Sequence, residues 1–471
     1  MRIIVIGGSA AGLSAALLLA RDGHRVEVLD RDTVEPAADV ETAARTVFRR
    51  SAPQLAQLHS LTPLAGQLLR DHLPDVYTHL LGAGAVVSPV TDRMPPTLAD
   101  RNLRPGDETL SYLQGRRSTI DRSLRLITAA EPGIRLCGGN LATGLITQPG
   151  SPPRVVGVRT IRGDRAADIV LDASGRRSPI DIWLASEHIR PTATIETECG
   201  INYYTRHYRL QPGESWPEPG RLSLLQFTPH FGLVACTADN GVLSVAICPA
   251  AEDRPFRSLR YAAAYEAVMD TLPGLRKWRA VCNPDTGVRP MAGLRGVLRR
   301  LIVDGSPVVH GIHVLGDAAC HMNPTLGRGV GMALDSAVRA RTAIRRHPDN
   351  AHDQALAVDA AVTADVQPWF AEQTRLDAAY LGSLRRSIHA QPEPVSEPDD
   401  LVSPAHIRTA AAYDPVVFRS LMQVTGMLRR PGEVYKDPVV QARTRGVLAA
   451  VDRAGPRWVS RHVLLDALAA A

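Results

Sequence analysis

Six residues near the N-terminus, Gly7-Gly8-Ser9-Ala10-Ala11-Gly12, carry the clearest chemistry in the 471-residue chain. They lie between the β-branched run Ile3 to Ile6, which reads as a strand buried on both faces, and a helix with an apolar stripe through Leu13, Ala16, Leu17, Leu19 and Ala20. Gly7 suits a tight turn, and Gly12 lets the helix lie close against the strand. Free amides at the helix start then face phosphate charge, with the helix dipole behind them. Gly23 ends the helix, Val26 to Leu29 form a second strand, and Asp30 closes it in position to accept hydrogen bonds from a ribose. Such a βαβ unit binds a dinucleotide. Its departure from G-x-G-x-x-G is Ser9, in the place of the second glycine, which leaves two expectations: a tighter backbone approach to the phosphates, or reliance on neighbouring Gly8.

A second set of candidate residues lies far along the chain. The strand Ile312 to Leu315 runs into Gly316-Asp317-Ala318, and Pro324-Thr325-Leu326-Gly327-Arg328-Gly329-Val330-Gly331 opens a long helix ending near Arg345. Ligands of open α/β sheets lie at the carboxyl ends of the strands, so these separated turns are expected to line one crevice with Asp30. That arrangement implies a long ligand.

Composition narrows the class. With 45% hydrophobic and 22% charged residues, the chain reads as an ordinary globular protein, and its length calls for two or three domains. The net charge of +6 comes from scattered pairs such as Arg299-Arg300, without a basic stripe or interleaved aromatics, so no nucleic-acid partner is expected. The apolar run after Met1 lacks a cleavage site, and no later segment has the apolar length of a membrane span. A cytoplasmic location is the expectation. The six cysteines form no CxxC pair and no cluster with histidine, so reduced, buried thiols and no metal are expected.

Along the chain, a polar loop follows Arg31, then a helical stretch runs through His59, Leu61, Leu64, Leu68 and Leu69. A helix, the turn Gly82-Ala83-Gly84 and the strand Val86-Val87 come next, and another helix starts at Arg116-Arg117-Ser118-Thr119. Alternating strands fill 181–284. Ala351 to Arg386 reads as helix, prolines 392, 394, 398 and 404 as a linker, and the remainder as a helical cap. The expected fold class is α/β. It comprises a discontinuous Rossmann-type domain (1–73, 103–180, 285–346), an inserted antiparallel sheet domain for substrate (74–102, 181–284) and a helical C-terminal region (347–471).

With these motifs in place, the chain resembles the FAD-dependent monooxygenases of the aromatic-hydroxylase type, most closely their polyether-epoxidase-like subgroup. The resemblance implies that Gly7 to Gly12, Asp30 and Arg31 hold the FAD pyrophosphate and ribose, that Asp317 binds the ribityl chain, and that Pro324 to Gly331 contacts the isoalloxazine. It also implies that Arg49 and Arg117 approach the cofactor, although each reads equally well as a surface or capping residue. Softer matches are Tyr203-Tyr204-Thr205-Arg206 and Pro368-Trp369-Phe370.

The implied activity is epoxidation or hydroxylation of a largely apolar metabolite of natural-product biosynthesis through a flavin C4a-hydroperoxide, with O2 as co-substrate and NAD(P)H as electron source. Where relatives read Asp-Gly, this chain has Asp172-Ala173-Ser174-Gly175, which favours electron supply through a separate flavin reductase. A Trp-x-Trp-x-Ile-Pro segment is absent, and the only lysines, Lys277 and Lys436, are remote from the nucleotide motifs; both points argue against halogenation. No catalytic acid or base stands out. His59, Tyr204 and Arg206 are the pocket candidates, against the plainer alternatives of a satisfied polar histidine and an exposed strand pair. Two other functions remain open: a flavin dehydrogenase or reductase acting on an alkene or polycyclic metabolite, and a non-catalytic flavin- or ligand-binding protein.

Overall fold

The computed structural model describes the chain apart from residues 34, 36, 47, 48, 50, 51, 393–401 and 451–457, and apart from the side chains of 46 and 53. Prolines 394 and 398 of the expected linker, and Arg50 and Ser51 beside Arg49, lie outside the described residues.

A five-stranded parallel sheet is the frame, in the order Ile312–Val314, Ile169–Asp172, Arg2–Ile6, Arg25–Asp30 and Ile134–Gly138. Its central strands, Arg2–Ile6 and Ile169–Asp172, are mostly apolar because both faces are covered. Ile3 and Val5 pack with the helices Ala10–Arg21, Pro63–His72 and Gly329–Arg346. Ile4 and Ile6 pack on the other side with Leu145, Val155, Val158, Trp183 and Leu184. The carboxyl ends of all five strands therefore emerge at one edge. This is the expected α/β class.

The second sheet is antiparallel, in the order Ser223–Phe227, Gly232–Ala238, Val242–Cys248, Tyr203–Leu210 and Cys282–Pro284, with Arg289–Met291 also paired to Tyr203–Leu210. Its outer face packs against the helices Ala262–Asp270, Pro273–Ala280 and Arg461–Ala469 through Tyr265, Leu275, Trp278 and Leu464. A long helical run, Ala351–Ala361 and Gln367–Ile388 joined by a wide π-type turn at Val362–Val366, leads into the C-terminal helices. There Trp369, Phe370, Val417, Phe418 and Val434 share a core with Leu298 and Met332.

Three local expectations are corrected. The helix expected through His59 begins at Pro63, because proline suits the first helical position and Thr62 caps it by accepting from the Ala65 amide at 3.4 Å; Ser60–Leu61 is a short strand instead. The polar loop after Arg31 contains the helix Val40–Thr46. The helix Pro74–Gly82, read with the substrate sheet, packs Val76 and Leu80 into the core of the parallel-sheet domain.

Candidate functional site

The glycine turn at the sheet edge is sterically closed to side chains. Gly7 adopts φ +104°, and a Cβ on it would lie 2.4 Å from the Ala173 carbonyl oxygen; one on Gly12 would lie 1.9 Å from the Gly7 carbonyl oxygen. A Cβ on Gly316 would lie 2.7 Å from the Cβ of Ala11. The Gly7 turn and the Gly316-Asp317 turn, three hundred positions apart in the chain, thus touch. Ser9 precedes the helix in extended conformation without capping it, and its Oγ accepts from Arg117 Nη2 at 2.9 Å. The first amides of the helix, at Ala10, Ala11 and Gly12, have no partner within the helix.

Two ionic clusters flank this turn. In the first, Asp30 Oδ2 is held by Arg49 and, at 2.9 Å, by Arg125; Asp121 pairs with Arg125 at 3.1 Å and with Arg49 at 3.3 Å. The Gly8 carbonyl accepts from both arginines, and the Asp32 amide donates to Asp30 Oδ1 at 3.0 Å. All four charged side chains are buried. The carboxylate expected to take a ribose is already engaged by two guanidiniums, whereas neighbouring Arg31 is exposed.

The second cluster is open. Arg117 is 6% exposed, and its Nε has no hydrogen-bond partner. Burial pushes its pKa below the usual arginine value, with Asp121 and Asp317 pulling the other way. Asp317 is half-buried, feels Arg117 and Arg176, and makes no hydrogen bond or ion pair among the described residues. Ser174 Oγ, also buried, is likewise without a partner. Unpaired buried donors beside a glycine cradle and a helix N-terminus fit a pyrophosphate, and a free carboxylate beside them fits a polyol, so these residues suit FAD. The Asp172 carboxylate, by contrast, is spent on its own turn, accepting from the Ser174 amide at 2.9 Å and from the Ser178 hydroxyl.

The loop before the helix Gly329–Arg346 continues this edge. Asn323 caps the turn Pro324–Leu326, Gly327 ends it at φ +69°, and a Cβ on Gly331 would lie 2.9 Å from Thr62 Oγ1. Val330 is buried, and Gly329 has open space where a side chain would be. Arg328 stacks 4.9 Å from the Trp369 ring centre and pairs with Glu372 at 2.5 Å, while nothing reaches its Nε.

The antiparallel sheet presents one face to this loop. The Tyr203 hydroxyl bonds Asn323 and Thr325, Thr205 Oγ1 donates to Gln57 Oε1 at 2.6 Å, and His207 Nδ1 lies 2.7 Å from Ser244 Oγ. Alternation along a strand sends Tyr204 and Arg206 to the opposite face. Tyr204 joins the outer core with Phe256 and Tyr265, and Arg206 pairs with Glu266 at 2.7 Å. His59 lies near Arg117 and His207, with Nδ1 at 3.0 Å from the Gln57 carbonyl oxygen. Burial, reinforced by Arg117, pushes it down to about 3, and burial holds His207 at about 4, so both rings are neutral at physiological pH.

Between this sheet, the loop and the helix Gln367–Ile388 lies a small, partly open recess. Ile201, Phe227, Leu326, Leu376 and Tyr380 make its apolar wall, and Asn323, Thr325, Gln373 and Asp377 its polar floor. Gln373 and Asp377 were not among the expected site residues. The signal for them was present: Trp369, Gln373, Asp377, Leu381 and Leu384 form one helical stripe, and two polar residues break its apolar face.

Residues 5–51 match the family described as NAD(P)-binding Rossmann-like domain. Protein Rv3254 of Mycobacterium tuberculosis is 25% identical over 367 residues, 73% of this chain and 72% of that protein. Among solved structures, the flavin-dependent brominase Bmp2 superposes with a TM-score of 0.63 at 15% identity, covering 96% of this chain and 100% of its own. PqsL, a probable FAD-dependent monooxygenase from Pseudomonas aeruginosa, gives 0.55 at 13% identity, over 83% and 96%. A mutant of 2-methyl-3-hydroxypyridine-5-carboxylic acid oxygenase gives 0.58 at 15%, over 81% and 92%. Parallel sheet, inserted antiparallel sheet and helical C-terminal region together give this chain the fold that these flavin-dependent monooxygenases and the brominase share.

Proposed function

We propose that the chain is an FAD-dependent monooxygenase that hydroxylates or epoxidises a largely apolar small molecule, with O2 as co-substrate. One observation carries the reading: the Gly7 turn, the unpaired Arg117 and Asp317 and the loop Asn323–Gly331 converge on one edge that adjoins a small, mostly apolar recess. Gly7 to Gly12 and Arg117 would hold the pyrophosphate, Asp317 the ribityl chain, and the amides of the loop up to Gly331 the isoalloxazine edge. Bound there, the reduced flavin supplies oxygen activation. The protein's own part is to exclude water with the wall of Ile201, Phe227 and Leu376, and to place charge complementary to the reduced ring through the dipole of the helix Gly329–Arg346.

The self-capped Asp172 supports reduction by a separate flavin reductase using NAD(P)H. It equally favours the second reading, a dehydrogenase or reductase of the same fold. Lys277 donates to the Glu218 carbonyl oxygen and lies, with Lys436, outside the cavity lining, which supports oxygen transfer over halogenation. Purified protein is expected to be yellow and, with a flavin reductase and NADPH, to incorporate one atom of labelled O2 into an aromatic or alkene substrate. Colourless protein that takes up no added FAD sinks the reading. Turnover that proceeds equally well without oxygen selects the dehydrogenase.

A further inference from the structure

The cavity's polar floor has a single charged group. Asp377 Oδ1 accepts from Asn323 Nδ2 and from Gln373 Nε2, each at 2.8 Å. Both amides are oriented from behind: the Asn323 carbonyl oxygen receives the Tyr203 and Thr325 hydroxyls, and the Gln373 carbonyl oxygen receives Arg328 at 3.4 Å. Their N–H groups therefore point at the carboxylate and hold it as an acceptor. Arg328, the neighbouring cation, is committed to Glu372. Asp377 Oδ2 has no hydrogen bond or ion pair among the described residues, in a residue that lines the cavity. The Phe227 and Tyr380 rings, packed edge to face with centres 4.9 Å apart, line the same recess.

We propose that Asp377 anchors the substrate: its free oxygen accepts a hydrogen bond from a hydroxyl or amino group, the size of group the recess admits, carried on a largely apolar molecule. A buried acceptor with no donor of its own selects for such a group, because a ligand lacking it leaves the carboxylate desolvated and unpaired. Burial lifts Asp377 to about 6, the two amides and Arg328 restraining the rise, so the acceptor is anionic at neutral pH. The other titratable groups facing it, Tyr203, Cys199, Cys248 and Tyr380, are all pushed up by burial and stay neutral there. The proposal rests on the oxygenase reading only for naming this cavity as the substrate's.

The test is calorimetric titration of full-length protein supplied with FAD, using 1-naphthol, 1-naphthylamine and 1-methoxynaphthalene from pH 5 to 8 on the wild type, Asp377→Asn and Asp377→Ala. The wild type is expected to bind naphthol, naphthylamine or both at least about tenfold more tightly than the methoxy compound at pH 8. That preference should fade below pH 6 and vanish in both variants, while methoxynaphthalene affinity in Asp377→Asn stays within about threefold and reports an intact pocket. Which donor is preferred identifies hydroxyl or amine. A preference that survives in both variants, a wild type indifferent to the donor or to pH, or failure of all three probes to bind overturns the assignment. The wild-type pH profile decides alone should the variants not fold. Flavin uptake is read separately: normal uptake without the preference removes only the Asp377 assignment, and the preference without uptake removes only the oxygenase reading.

Discussion

The two ionic clusters beside the Gly7 turn use the same residue types, and they differ in closure: the Asp30 cluster is fully buried, the Asp317 one partly exposed. Around Asp30, two arginines and two aspartates pair with one another and with the Gly8 carbonyl; Arg49 Nε alone makes no hydrogen bond, and it lies 3.4 Å from Asp32 Oδ2. Around Asp317, Arg117 reaches only a serine hydroxyl and the carboxylate reaches nothing. A closed buried network fixes structure, and opening it leaves an uncompensated charge. An open one costs stability in the free protein and is repaid when a ligand supplies the missing partners.

The contrast can be broken most forcefully at Arg125. Arg125→Met leaves Asp30 and Asp121 to share Arg49, and denaturant unfolding should show a loss of about 3–5 kcal/mol. In the open cluster, Arg117→Met and Asp317→Ala should each weaken FAD binding about 10- to 100-fold in a fluorescence titration, equivalent to about 1.5–3 kcal/mol, with unfolding free energy unchanged or slightly raised. If Arg117→Met unfolds the protein as severely as Arg125→Met, the distinction between the clusters fails.

Asp377 extends the comparison to the pocket. Its folded pKa of about 6 exceeds the ordinary 3.8, so its contribution to stability is fully present below pH 3.8 and is lost as pH rises through 6. Asp377→Asn keeps an acceptor for both amides and removes that loss. Thermal melts should therefore find the variant more stable than wild type by up to about 2 kcal/mol above pH 6, and no more stable below pH 4. The smallest effect is expected at Arg31, exposed and outside both clusters: Arg31→Ala should shift stability by less than about 0.5 kcal/mol.

Much of the frame was legible residue by residue. The strand ending at Ile6, the turn at Gly7, the positive-φ Gly23 and the strand ending at Asp30 fall where the β-branched runs and glycines place them, because each is decided by its nearest neighbours in the chain. The sheet-domain face was not legible. Tyr203 and Tyr204 are adjacent and chemically identical, and a shift of one residue exchanges the loop-facing side for the outer core. The register that put Tyr203 opposite Met291 and Tyr204 opposite Ile247 belongs to partner strands far along the chain.

By itself, then, the chain determined its βαβ unit and the glycine turns at the ends of its parallel strands, since glycine placement and apolar periodicity act over a few residues. Tertiary structure alone decided which charges close on each other and which stay open. Arg49 and Arg117 look alike as sequence, yet one meets Asp30 and the other only Ser9. It also raised Asp377 from one acid on a long helix to the single carboxylate of an apolar cavity. Charge pairing and desolvation depend on what packs around a group in three dimensions, and those neighbours come from segments tens to hundreds of residues away.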